Sequence, residues 1–163
     1  MLAQFSAWQA LFYGAVVNGY LLFMMVALSP RIWGLQDYPE RIKEKVRPQT
    51  RREKVIAGVF GVPWAFFTFG YPIYSVLTLR RRIGGVMTFW DAYLHLLLLA
   101  TAATLGDLVF LDWLIISKVT PDFVVIPGSK VEDYKDFSHH YQSHARATLI
   151  IAVLCGAVAF WIS

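Results

Sequence analysis

Four side chains in this chain have the type and spacing to do chemistry: His140 and His144, four residues apart, and Asp107 and Asp112, five apart. Residues at i and i+4 of a helix share one face, so the two imidazoles project from the same side of any helix that carries them. Two imidazole nitrogens with carboxylate oxygens in reach suit zinc, manganese or iron. His140, His144 and Asp112 are therefore the candidate ligands of a divalent metal, whose identity the sequence leaves open. A di-iron centre of the helical-bundle type needs more carboxylates and a Glu-x-x-His motif from two helices, and that motif is absent. Asp107 and Asp112 are the candidate catalytic pair, because a carboxyl group in apolar surroundings can exchange a proton near neutral pH. Asn18 and Thr104 are candidate polar contacts for a substrate. Arg51, Arg52 and Arg146 are candidates to neutralise an anionic head group.

Each assignment has a plainer structural alternative. Asp107 bonded to Asn18 or Thr104 would only hold helices together. Asp112, beside Trp113, would be a solvated helix end, and His139, His140 and His144 ordinary interfacial residues. The single cysteine, Cys155, cannot form an intramolecular disulfide or a CxxC redox relay, and reads as a small buried residue.

These residues must be positioned by helices in a membrane. Of the 163 residues, 57% are hydrophobic and only 16% charged, against about 25% charged in an ordinary soluble domain. The charges are concentrated between four apolar stretches, near residues 8–28, 55–79, 88–116 and 143–161. At 1.5 Å rise per residue, roughly 20 residues cross the hydrocarbon core. The pattern predicts an all-α, polytopic membrane protein, a bundle of four transmembrane helices forming a single membrane domain. It excludes a soluble enzyme, a disordered chain and a disulfide scaffold. The first stretch lacks the basic n-region of a signal peptide and is too long for one. Pro63 and Pro72 predict a kink in the second.

Lys and Arg counts orient the bundle. The loops at 29–54 and 117–142 share one side and hold eleven; the loop holding Arg80, Arg81 and Arg82 has three. The positive-inside rule then puts the 29–54 loop in the cytoplasm and both termini outside the cell membrane, although the compact Arg80–Arg82 cluster argues the other way. In the first loop, Ile42 and Val46 fall at i and i+4 and are expected to lie on the membrane surface. Residues 121–128, a β-branched and aromatic run between prolines, read as extended and must pack against the bundle mouth or the interface. The acidic residues 132–136 can pair with the basic first loop.

On an α-helical wheel Asp107 and Asp112 fall about 140° apart with Thr104 between them, while His95 and Asp91 lie opposite and can pair with each other. Counted from the cytoplasmic end, Asp107 and Asn18 share a depth of about 15 Å, and Asp112 lies near His144 at about 6 Å. The expected site is a funnel, with His140, His144 and Asp112 at its mouth.

Asp112–Trp113, the stretch from Thr120 to Gly128, Tyr134–Lys135–Asp136 and the basic first loop resemble a set of small four-helix bacterial membrane proteins of uncharacterised activity. The resemblance implies the fold and carries no activity, cofactor or site residue. The asparagine and aspartate motifs of lipoprotein signal peptidase are absent, as is the Glu-Arg pattern of small glutathione-dependent membrane enzymes.

Three functions fit these residues. The first is an intramembrane enzyme or binding protein for an amphipathic, lipid-like substrate, opening to the cytoplasm. The second is a structural or assembly protein without chemistry. The third is a proton- or cation-coupled transporter subunit, for which four spans suffice only in a homo-oligomer and for which no inverted repeat is visible. The bilayer is the expected partner and nucleic acid is not, since no folded soluble domain is available to present a basic surface.

Overall fold

The computed structural model describes the backbone of residues 2–163 and the side chains from Ser6 onward. It is helical, with no strand among the described residues. In chain order the helices are α1 (Leu2–Ala27), the one-turn α2 (Pro30–Trp33) and α3 (Glu40–Lys43), α4 (Arg51–Arg82), α5 (Phe89–Gly106) and α6 (Ser138–Ile162). From Asp107 to Val119 the chain continues α5 as a π-helix. Four helices, α1, α4, α5 with its continuation, and α6, are long and apolar enough to cross a membrane. Their outward faces carry Trp8, Phe66 and Phe160, each at least 75% exposed. Such a surface suits hydrocarbon and would aggregate in water.

Local sequence explains where the helices begin. Thr50 and Glu53 form a reciprocal capping box at the start of α4, with the Glu53 amide donating to Thr50 Oγ1 at 3.2 Å and the Thr50 amide donating to Glu53 Oε2 at 2.7 Å. The same carboxylate receives the buried Arg31, whose Nε lies 3.2 Å from Glu53 Oε1. Thr88 caps α5 by accepting from the Asp91 amide. α4 continues as one helix through Pro63 and Pro72.

α5 is the central helix, with α1 and α6 packed along it and α4 more loosely. Tyr13 and Val17 of α1 bury against Leu99 and Ala103 of α5. Gly14 permits the close approach, since a Cβ there would stand 3.0 Å from the Ala102 carbonyl oxygen.

The two long loops fold together over one end of the bundle. Tyr38, Ile42 and Val46 from the first meet Val124, Ile126 and Tyr134 from the second in a core that also takes in Met25, Leu111 and Ile116. Ile42 and Val46 therefore do not lie on a membrane surface, as their spacing suggested. They face the 121–128 segment, which is not extended as its β-branched run suggested but folded into turns, with the Val124 amide donating to the Pro121 carbonyl at 2.8 Å and the Val125 amide to the Asp122 carbonyl at 3.2 Å. Tyr38 donates to the Val124 carbonyl at 3.2 Å and the Ile126 amide donates to Tyr134 Oη at 3.0 Å. Burial, with Tyr134 and acidic neighbours nearby, pushes the Tyr38 phenol up. Arg41 pairs with Asp136 at 3.0 Å, and Lys45 with Asp133. These exposed pairs set register more than stability.

Gly128 is the tightest point of this cap. Its φ is +104° and a Cβ there would stand 2.9 Å from the Lys45 carbonyl oxygen. Gly128→Ala is expected to cost about 1–3 kcal/mol through backbone strain and this clash. Faster proteolysis within residues 40–48 and 121–130, with the long helices still protected, is the measurement that checks it.

Candidate metal centre

Asp107 and Asp112 reach the site because the helix that carries them changes pitch. Past Gly106 the hydrogen bonds run from i+5 to i, ending with the Thr120 amide on the Ile115 carbonyl at 2.8 Å. π-Helical turns are rare and usually single; this run covers 13 residues. Side chains help to hold it. Ser117 donates to the Asp112 carbonyl at 2.9 Å and Thr120 Oγ1 to the Ile116 carbonyl at 2.7 Å. Thr120 closes the helix in the left-handed region, φ 52°. Lys135 donates to the Lys118 carbonyl and to Thr120 Oγ1, both at 2.8 Å, a cation at a helix C-terminus.

The wheel separation of about 140° between Asp107 and Asp112 is thereby corrected. With i to i+5 bonding, residues five apart fall much nearer to one face than at α pitch, and both carboxylates turn to α6. His140 and His144 occupy the first two turns of that helix. His140 Nδ1 lies 3.2 Å and His144 Nε2 3.0 Å from the same oxygen, Asp112 Oδ2. His144 Nε2 is also 3.6 Å from Asp107 Oδ2. Asp112 and His140 are buried, Asp107 and His144 partly so.

These spacings are those of hydrogen-bonded ion pairs and are also compatible with a coordination shell. Ligands bonded at about 2.0–2.1 Å to a tetrahedral ion stand about 3.3 Å from one another. One ligand atom from each of Asp107, Asp112 and His144 lies within 4.8 Å of the others. Two ionised carboxylates in so poorly solvated a place would need compensating positive charge, which a divalent cation or protonated imidazoles can supply. No known protein family, curated protein or solved structure matches this chain. The reading of the centre therefore rests on its geometry and chemistry.

The other candidate residues fall elsewhere. Asn18 does not bond Asp107. Its Nδ2 donates to the Gly14 carbonyl at 2.8 Å and to the Ala103 carbonyl at 3.1 Å, bracing the turn where α5 changes pitch. Thr104 turns its hydroxyl back to the Ala100 carbonyl at 3.0 Å. It is thus spent on its own helix and is not presented to the carboxylates. Arg51, Arg52 and Arg146 are exposed and make no ion pair among the described residues. Asp37 was missed: it lies close enough for its charge to act on Asp112, His139 and His140, and its carbonyl is 3.0 Å from His139 Nε2. Its distance in sequence, in another loop, left no signal.

His95 corrects a further expectation. It does not pair with Asp91, which is exposed and bonded to Thr88. It is buried among α1, α4 and α5, with Nδ1 2.8 Å from Ser6 Oγ and Nε2 2.8 Å from Ser75 Oγ. Ser75 donates its one proton to Gln9 Oε1 at 2.7 Å. The ring must then donate through Nε2–H and accept from Ser6 at Nδ1. Ser75→Ala would leave a buried N–H and a carbonyl oxygen unpaired, at about 1–3 kcal/mol for each. A fall in the thermal midpoint in detergent, with metal content unchanged, is the expected result.

Proposed function

We propose that this chain is a multi-pass membrane protein with a divalent transition-metal centre at the capped end of its bundle, and that the centre acts on or binds the polar head of an amphipathic, lipid-like substrate. The observation that carries this is that one ligand atom from each of Asp107, Asp112 and His144, from two helices, lies within 4.8 Å of the others, with His140 also 3.2 Å from Asp112 Oδ2. Asp107, Asp112 and His144, whose ligand atoms lie within 4.8 Å of one another, would hold the ion, and His140, which the sequence had offered as a ligand, would support Asp112 through its contact at 3.2 Å. A bound ion of this class polarises a carbonyl or phosphoryl oxygen and acidifies bound water.

The test is the metal content of the full chain, purified in detergent from cells grown in supplemented medium without chelator. About one zinc, manganese or iron per chain supports the reading. A structural reading draws on the same short contacts, since Asp112 is already paired with both rings. Metal-free protein whose stability is indifferent to added metal would favour it.

The proposed orientation places the capped end in the cytoplasm and both termini outside the cell membrane, from the Lys and Arg asymmetry. A cytoplasm-active fluorescent reporter fused after Ser163 should stay dark. Bright cells would move the centre to the outer side.

A further inference from the structure

Two histidines at the start of α6 keep a ring nitrogen that the centre does not engage. His139 is half-buried beside the buried His140, their rings edge to face with centroids 5.8 Å apart. His139 Nε2 lies 3.0 Å from the Asp37 carbonyl oxygen. A carbonyl oxygen only accepts, so the ring donates there and the neutral imidazole keeps its lone pair on Nδ1. His140 is fixed in the same way by the Asp112 carboxylate, 3.2 Å from its Nδ1, and keeps its lone pair on Nε2. Neither free nitrogen has a hydrogen-bond partner among the described residues. Neither is sealed, because the buried polar atoms left without a partner there belong to Asn18, Trp33, Trp64 and Thr68.

A ring that donates one N–H to a carbonyl or carboxylate and leaves its other nitrogen open is in the form in which histidine binds metals. Two such rings stand side by side here, and His140 lies about 6 Å nearer the capped end than His144. Asp37 adds a third group from the first loop. It is exposed, and its carboxylate makes no hydrogen bond or ion pair among the described residues. It lies close enough for its charge to act on both rings and on Asp112. The cation that also acts on it, Lys43, is itself paired with Glu40 at 3.1 Å.

This trio is looser than the inner set, since among the described residues only Asp107, Asp112 and His144 bring three ligand atoms within 4.8 Å of one another. Exposure falls along the row: Asp37 is exposed, His139 half-buried, His140 and Asp112 buried. A cation arriving from the loop side meets them in that order. Negative charge at the rim of a low-dielectric cleft concentrates cations and raises the rate at which they enter.

Resting on the reading of the metal centre above, we propose that the Asp37 carboxylate, His139 Nδ1 and His140 Nε2 form an outer site for a divalent transition cation, through which the ion passes to Asp107, Asp112 and His144. A site on the path lowers the barrier in both directions. It therefore sets how fast the centre fills and empties, not how full it becomes.

The test uses the full chain in detergent, stripped of metal and mixed with zinc in stopped flow, with free zinc followed by a fluorescent indicator. Asp37→Asn and His139→Gln should each slow filling at least tenfold, the low end of what rim charge contributes to association. Release into excess chelator should slow by the same factor, and the final zinc content should match wild type. His139→Gln changes no charge and keeps an N–H for the Asp37 carbonyl, so slowing there reports the lost ring nitrogen. Glu44→Gln removes the same charge from an exposed position of the same loop and should fill at the wild-type rate. Wild-type rates in both Asp37→Asn and His139→Gln, slowing in Asp37→Asn alone, or equal slowing in Glu44→Gln would each overturn the outer site while leaving the centre standing. A wild-type chain that takes up no zinc would overturn the centre itself, and the outer site with it.

Discussion

Asp112→Asn is expected to lower metal affinity at least 100-fold while leaving the bundle folded. Changes to groups outside the coordination shell already cost 10–100-fold, and Asp112 Oδ2 is the atom both rings approach, at 3.2 and 3.0 Å. Asparagine keeps the shape and an acceptor oxygen but removes the charge that a cation requires. His144→Ala should behave alike, because Nε2 of that ring is the atom nearest both Asp112 and Asp107. The decisive readout is a pair of melting curves with and without chelator. Wild-type protein should lose stability on chelation, and Asp112→Asn should melt at one temperature in both. Metal affinity should also fall as pH drops, since protons compete with the ion for imidazole and carboxylate. If the site is only an ion pair, the pattern reverses. Chelator then has no effect on wild type, and His144→Ala destabilises by about 3–5 kcal/mol, the cost of stranding one member of a buried pair.

How far this site could be read in advance depends on which periodicity each residue obeys. His140 and His144 lie on an ordinary α-helix, so their four-residue spacing placed both rings correctly on one face. Asp107 and Asp112 lie on a π-helix, and a wheel drawn at 3.6 residues per turn must separate them. Nothing in the composition of residues 107–119 announces that pitch. The four long apolar helices were legible from the length of runs that hold few charges. Their caps extend the helices beyond the charge-free runs, as the Thr50–Glu53 box does for α4. The cap over the site was half legible. Residues 121–128 had to pack somewhere, but that Val124 and Ile126 meet Tyr38 and Ile42 is a contact across more than 80 positions, invisible to local pattern. His95 misled because a histidine one turn from an aspartate suggests a local pair. Its true partners, Ser6 and Ser75, come from two other helices.

Gly106→Ala is expected to be the most damaging single-methyl addition in the bundle, and Asn18→Ala to relieve it. A Cβ at Gly106 would stand 2.4 Å from Asn18 Nδ2 and 3.2 Å from its Cγ. Asn18 cannot swing aside freely, because the same nitrogen is held by the Gly14 and Ala103 carbonyls. Overpacking a tight core costs about 1–3 kcal/mol, and breaking those bonds adds to it. Asn18→Ala alone should be milder, because it removes two hydrogen bonds but also a buried carbonyl oxygen, Oδ1, that has no partner. The double variant should therefore be more stable than the sum of the singles by about 1–3 kcal/mol, the coupling expected of residues in contact. The metal centre supplies a second readout. Gly106 immediately precedes Asp107 and the change of pitch, so a shift there should move the carboxylate and weaken metal binding roughly tenfold, within the range of outer-shell changes. Adding Asn18→Ala should restore it. Additive stabilities, with metal binding untouched by Gly106→Ala, would mean that the Asn18 brace and the π-helical turn are independent, and that Asp107 is held in place by α6 alone.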